Sequence, residues 1–213
     1  MPITGQNIVD KVASVLQDVA HVRWLADELL GIINSGLKEL IILKPNANPV
    51  TANVQCTTGT KQTLPAGGIQ FGKVTRNMGA NGSTPGSAII GKKMELLDKM
   101  LPNWHSAAAA TASKYFCFDP KFPKTYYLYP PQTGYVELSY FAVPTELASL
   151  SATIFDDLYE SVLIDYVLYR AYLKDGQLQQ SGYHYKAFLN ALGGKTSGEK
   201  GAAPNSQPDQ PQE

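Results

Sequence analysis

Apolar residues recur at helical spacing along the start of the chain. Ile8, Val12, Val15, Leu16 and Val19 put one apolar face on a helix predicted over Gly5–Val19, with Thr4 as its N-cap. After a link at His21-Val22-Arg23-Trp24, a second helix is predicted over Ala26–Leu43. Its stripe is Leu29, Leu30, Ile33, Leu37, Leu40 and Ile41, its first turn holds Asp27 and Glu28, and Pro45 ends it. So short a link favours an antiparallel helix pair.

From Pro45 to Ser87 the pattern changes. Asn53–Thr57, Thr60–Leu64 and Ile69–Val74 read as short strands between turns rich in Gly, Pro, Asn and Thr. Arg76–Gly86 has too few apolar residues to pack and is expected to be an exposed loop. Lys92–Leu101 reads as a short helix with Met94, Leu97 and Leu101 on one side. Tyr115–Phe118, Thr125–Tyr129 and Tyr135–Val143 read as aromatic-rich strands, the last two joined as a hairpin through Pro130–Gly134. In Tyr135–Val143, Val136, Leu138 and Tyr140 alternate with Glu137 and Ser139, so one face is expected to be solvated.

A long helix is predicted over Phe155–Lys174. Leu158, Val162, Tyr166, Tyr169 and Leu173 mark one face, and Leu163, Ile164, Val167 and Leu168 fill much of the rest. A helix apolar nearly all round must be covered on several sides, within the chain or by another subunit. A last helix over Gln179–Leu192 is expected to close at Gly193-Gly194. The remainder is Gly, Ser, Pro and Gln with almost nothing apolar, a composition expected to be disordered alone. The fold class is therefore α+β: an antiparallel bundle of about four helices with a β-rich insertion and an extended tail. The expected segments are 1–45, a helix pair; 46–150, the β-rich insertion; 151–193, the closing helices; and 194–213, the tail.

Composition narrows the function classes. Eighteen basic residues balance eighteen acidic ones, which argues against a general nucleic-acid or membrane-surface binder. Cys56 and Cys117 cannot make a disulfide framework and read as reduced, partly buried thiols. The N-terminus lacks a basic n-region and an apolar h-region, and no stretch approaches the ~20 apolar residues of a membrane span. The expectation is a protein kept in a cytoplasm or in a particle assembled there.

Candidate chemistry is sparse. Gly194-Lys195-Thr196 resembles the end of a phosphate-binding loop, but Leu189 stands where its first glycine belongs. His21, His105 and His184 lack ligand spacing, so no metal site is expected. Cys117 with His105 and Asp119 would make a thiol-hydrolase group, yet Cys117 lies between Phe116 and Phe118 and reads as core. Asp165 falls beside apolar positions and needs a partner, with Arg170, Arg23 or a tyrosine in reach. Six of the twelve tyrosines lie between Tyr115 and Tyr140, with only Lys114, Lys121 and Lys124 nearby. Cross-strand packing is favoured over base stacking, which needs a charged groove.

A series of short motifs carries a resemblance. It begins with Arg23-Trp24, Asp27-Glu28-Leu29-Leu30, Ile33-Asn34-Ser35-Gly36 and Lys44-Pro45. It continues through Gly59-Thr60-Lys61-Gln62, Leu64-Pro65-Ala66-Gly67-Gly68, Arg76-Asn77-Met78-Gly79 and Thr84-Pro85-Gly86. It ends with Leu97-Asp98, Pro102-Asn103-Trp104-His105, Tyr129-Pro130-Pro131 and the run from Asp165 to Asp175. In this order they resemble the head-to-tail adaptor (connector or gatekeeper) proteins of tailed phages. Leu25 departs from the pattern, which usually has a small hydroxylic or acidic capping residue there, so another group must satisfy the start of the second helix.

The resemblance implies a helical bundle with a β-rich insertion, assembled as a ring of typically about twelve copies in the virion. It implies portal and tail or nozzle proteins as partners, DNA passing through the lumen, and neither enzymatic activity nor a cofactor. The expected contact residues are Arg76, Asn77 and Asn81 in the loop, Pro130, Pro131 and Gln132 in the turn, and Lys195, Lys200, Pro204 and Pro208 in the tail. The competing reading is a β-rich binding module for glycan or single-stranded nucleic acid, built on Tyr126, Tyr127 and Tyr135.

Overall fold

The computed structural model describes residues 3–202, with side chains through residue 193. Among the described residues the fold is α+β, with five α-helices and two sheets. The chain divides into two compact units. One spans Lys44–Thr145; the other is built from the chain up to Leu43 and from Glu146 onward.

The second of these is helical. It contains α1 (Gly5–Val15), α2 (Ala26–Leu43), α4 (Glu160–Lys174) and α5 (Leu178–Ala202), while α3 (Met94–Met100) belongs to the other unit. Thr4 caps α1 in a reciprocal box: its hydroxyl accepts the Asn7 N–H, and Asn7 Oδ1 accepts the Thr4 N–H. The helix ends four residues before the predicted Val19. Gln17 turns left-handed at φ 55°, and the N–H groups of Gln17 and Asp18 close back on the carbonyls of Ser14 and Ala13. Val19 is left exposed.

Asp18 then organises the link. Its carboxylate accepts the backbone N–H groups of Val22, Arg23 and Trp24, which fixes the link before α2. These bonds, Trp24 foremost, hold its pKa below the ordinary carboxylate range. Trp24 is buried, with Lys174 over its ring and paired with Glu28.

The helical core joins Ile8, Val9 and Val12 of α1, Leu29, Ile33 and Leu37 of α2, and Leu163, Val167 and Ala171 of α4. α4 packs on α1, α2 and α5, so the chain itself covers most of its apolar surface. Leu158, placed by the periodicity on the buried face, precedes the helix and is exposed. Phe188 of α5 is fully buried beside Tyr166. α5 does not close at Gly193-Gly194 but continues to Ala202, contrary to the glycine stop read from the sequence. Residues 203–213 of the expected tail lie outside the described residues.

The Lys44–Thr145 unit has two sheets. β1 (Pro49–Gln55), β7 (Tyr135–Ala142) and β3 (Gly68–Asn77) form an antiparallel sheet with β7 in the centre. β2 (Lys61–Thr63), β6 (Thr125–Tyr129), β5 (Tyr115–Phe118) and β4 (Ile90–Gly91) form the other, with β4 parallel to β5. Phe71 and Val74 of β3, Tyr126 and Leu128 of β6, and Val136, Leu138 and Tyr140 of β7 share one core. β6 and β7 are therefore not a hairpin: Pro130–Gly134 carries the chain from one sheet to the other. β3 is bulged three times against β7, and at one bulge Gly72 lies so close to the Ser139 carbonyl that a Cβ would sit 2.6 Å from it.

Two glycines of α2 test the packing. A Cβ on Gly31 meets nothing within 4 Å, whereas one on Gly36 would meet the Tyr166 ring of α4 at 2.7 Å. Gly31→Ala is expected to stabilise by up to about 1 kcal/mol, the helix-propensity gain. Gly36→Ala is expected to lose that gain and about 1–3 kcal/mol more to overpacking. Urea unfolding of both variants checks the opposite signs.

Candidate functional site

The loop after β3 and the crossover after β6 meet at Asn77. Its side chain is buried and almost fully used. Asn77 Nδ2 donates to the carbonyls of Ser87 and Ser113 at 2.9 Å, and Oδ1 accepts from the Ser113 N–H and Gln132 Nε2 at 2.9 Å. Ser113 Oγ donates to the Pro130 carbonyl, and Ala110 N–H to that of Pro131. This knot ties three segments distant in sequence, as a buried polar group requires.

It also places the expected contact residues of the loop and the turn within the unit. Arg76 and Asn77 end β3 rather than lying in a free loop, and Arg76 forms an ion pair with Glu137 across the sheet. Pro131 and Gln132 are buried and Pro130 is half-buried, so the expected protruding turn lies inside the unit. The exposed part of the loop is residues 80, 81 and 83–88, in which Asn81 Oδ1 accepts the Ser83 N–H. Lys195 and Lys200 lie on the helical backbone of α5; Pro204 and Pro208 lie outside the described residues. The partner Ser113 was missed because a serine in a polar stretch gives no sequence signal of burial.

The other candidates are placed as follows. His105 stacks on Trp104, and its Nδ1 lies 3.0 Å from Thr60 Oγ1. Asp119 accepts the Lys121 N–H within its own turn. Asp165 pairs with His184 Nδ1 of α5 at 3.0 Å, rather than with an arginine or tyrosine, because α5 lies along α4. Arg23 pairs with Asp175. Tyr126 is a core residue, 1% exposed and stacked on Phe71, so it offers no face to a glycan or base. A groove of about 570 Å³ beside α3 is lined by Lys93, Lys121, Glu95, Asp98 and Asp119, and Asp98 is bound to Trp104 Nε1. Among the described residues, no three His, Cys, Asp or Glu side chains are grouped to hold a metal, and no helix is long and apolar enough to cross a membrane.

Large apolar side chains remain in water at several places: Val19, Val22 and Leu25 in the first link, Ile42 and Leu43 at the end of α2, and Leu96 and Met100 on α3.

A family model covering residues 3–208 matches the chain, and that family is one of phage head-to-tail adaptors. The chain belongs to the SU10 adaptor protein family, and its role is structural, at the head-to-tail junction. No curated protein matches it.

Asn77→Ala would strand the Ser113 and Gln132 donors and is expected to cost at least about 2 kcal/mol, read by urea unfolding. Both thiols are buried. Burial pushes Cys56 up to about 12 and, with Asp98 adding to it, Cys117 up to about 11. Neither is expected to react with a thiol reagent at pH 8 until the chain unfolds. The unfolded thiols ionise first, near 9.0, so this contribution to stability is full below that pH and is lost as pH rises through about 11 for Cys117 and about 12 for Cys56.

Proposed function

We propose that copies of this chain form a ring, of about twelve subunits by symmetry with the portal, that joins the portal to the tail or nozzle. Packaged DNA passes through the lumen without sequence-specific binding. The observation that carries this reading is the family match along residues 3–208. The helical unit with the C-terminal region faces the portal. The Lys44–Thr145 unit faces tail components and neighbouring subunits, through the exposed loop that includes Asn81. Assembly takes place in the host cytoplasm, and the chain contributes no catalytic step and holds no cofactor.

Two observations support an assembly role. The apolar side chains of Val19, Val22, Leu25, Ile42 and Leu43 are left for a partner to cover. Zero net charge suits a wall past which DNA slides, because a strongly basic lumen would hold phosphates.

Mass photometry of the chain, alone and with its portal ring, tests the reading. A ring alone, or portal saturating at about one copy per portal subunit, is expected. A monomer that ignores the portal overturns it. Removing residues 194–213, which carry Lys195, Lys200, Pro204 and Pro208, is expected to leave cooperative unfolding intact and weaken portal docking at least about tenfold; unchanged docking refutes the tail contact.

A further inference from the structure

The two sheets of the Lys44–Thr145 unit have four edges. Three are protected in the ways edge strands usually are. β2 and β4 are only three and two residues long. β3 is bulged, and its outer side bonds to the segment that follows it: Asn77 N–H to the Ser87 carbonyl, and Ile89 N–H to that of Thr75. β1 has only one such device, Pro49 at its first position. It runs seven residues in unbroken register with β7 and carries no charged side chain.

The free groups of β1 follow from its ladder. Cys56 N–H donates to the Gly134 carbonyl, and Ala142 N–H donates to that of Asn48, both across the β1–β7 pair. Backbone groups alternate sides along a strand, so Val50, Ala52 and Val54 bond to β7. The amides of Thr51, Asn53 and Gln55 point outward, as do the carbonyls of those residues and of Pro49. No backbone group among the described residues meets them. Pro49, which lacks an N–H, falls on the outward set, where it breaks no ladder bond. Val50, Ala52 and Val54 pack on the shared core yet stay only partly buried, so the apolar face is incompletely covered along this edge.

We propose that β1 pairs antiparallel with β1 of a second copy of this chain, about a two-fold axis at Ala52. The strand reads Val50-Thr51-Ala52-Asn53-Val54, nearly alike in both directions. Pairing about Ala52 sets Val50 opposite the second copy's Val54 and Thr51 opposite its Asn53. Apolar meets apolar on the core side, and polar meets polar on the other. This register also makes Thr51 and Asn53 the hydrogen-bonded pair, which requires outward groups on both, and both have them. The Pro49 carbonyl receives the Gln55 amide, so the missing proline donor removes only the last bond at each end. No charge opposes another. A two-fold contact closes on itself and builds no ring, so this dimer belongs to the free chain and stands apart from portal docking.

The test uses the full chain without portal, comparing Ala52→Cys with Thr51→Cys under mild oxidation. The proposed register places the two Ala52 Cα atoms about 4.5 Å apart, within disulfide reach. It places the two Thr51 Cα atoms about 8 Å apart, beyond reach. Ala52→Cys is expected to give at least about fivefold more disulfide dimer than Thr51→Cys on a non-reducing gel, with the unmodified chain as background. Equal crosslinking of the two variants, or none at position 52 above background, overturns the proposal. If Ala52→Cys does not fold, amide exchange in the unmodified chain decides. Exchange at Thr51, Asn53 and Gln55 is expected to slow with rising chain concentration, and concentration-independent exchange at all three overturns it.

Discussion

The pairing of β1 with β7 is the constraint on which the architecture depends. It joins the first and last strands of the Lys44–Thr145 unit in a seven-residue antiparallel register, with Pro49 opposite Phe141. The two ends of a long excursion of the chain therefore emerge side by side. α2, which precedes the excursion, and α4, which follows it, contribute to one core around Ile33, Leu163 and Val167. The central place of β7 also explains its strict alternation of buried and half-buried residues, since it is flanked on both edges and covered on its core face.

The helices were legible where burial has a period. α2 spans the residues that its apolar stripe predicts, because Leu29, Ile33, Leu37, Leu40 and Ile41 are all buried and a proline follows the exit. α1 was overrun because Val19 continues the spacing, while the left-handed turn that stops the helix is made by Gln17, a residue without the usual glycine signal. At the other end of the chain, Gly193-Gly194 reads as a stop, but the helical backbone runs through it. Glycine permits a helix end without imposing one.

The site was less legible, for a physical reason. Exposure is a tertiary property, and polar residues give no local sign of it. Asn77 and Gln132 look like loop residues in sequence, yet they are buried because each satisfies the other and the segments beside them. The aromatic strands were more legible: their tyrosines read first as cross-strand packing, and Tyr126 is a core residue stacked on Phe71. The ordered series of motifs pointed to the family that matches residues 3–208, because it samples the chain from Arg23 to Asp175.

The divided origin of the helical unit constrains how the chain is made. Its apolar cluster joins Ile8 and Ile33 to Leu163, Val167 and Ala171, so it cannot close until most of the chain has left the ribosome. The β-unit draws every strand from Lys44–Thr145 and has no such wait. During synthesis α1 and α2 emerge first and complete their packing last. Until then the apolar faces of both helices stand open to chaperones and to other nascent chains.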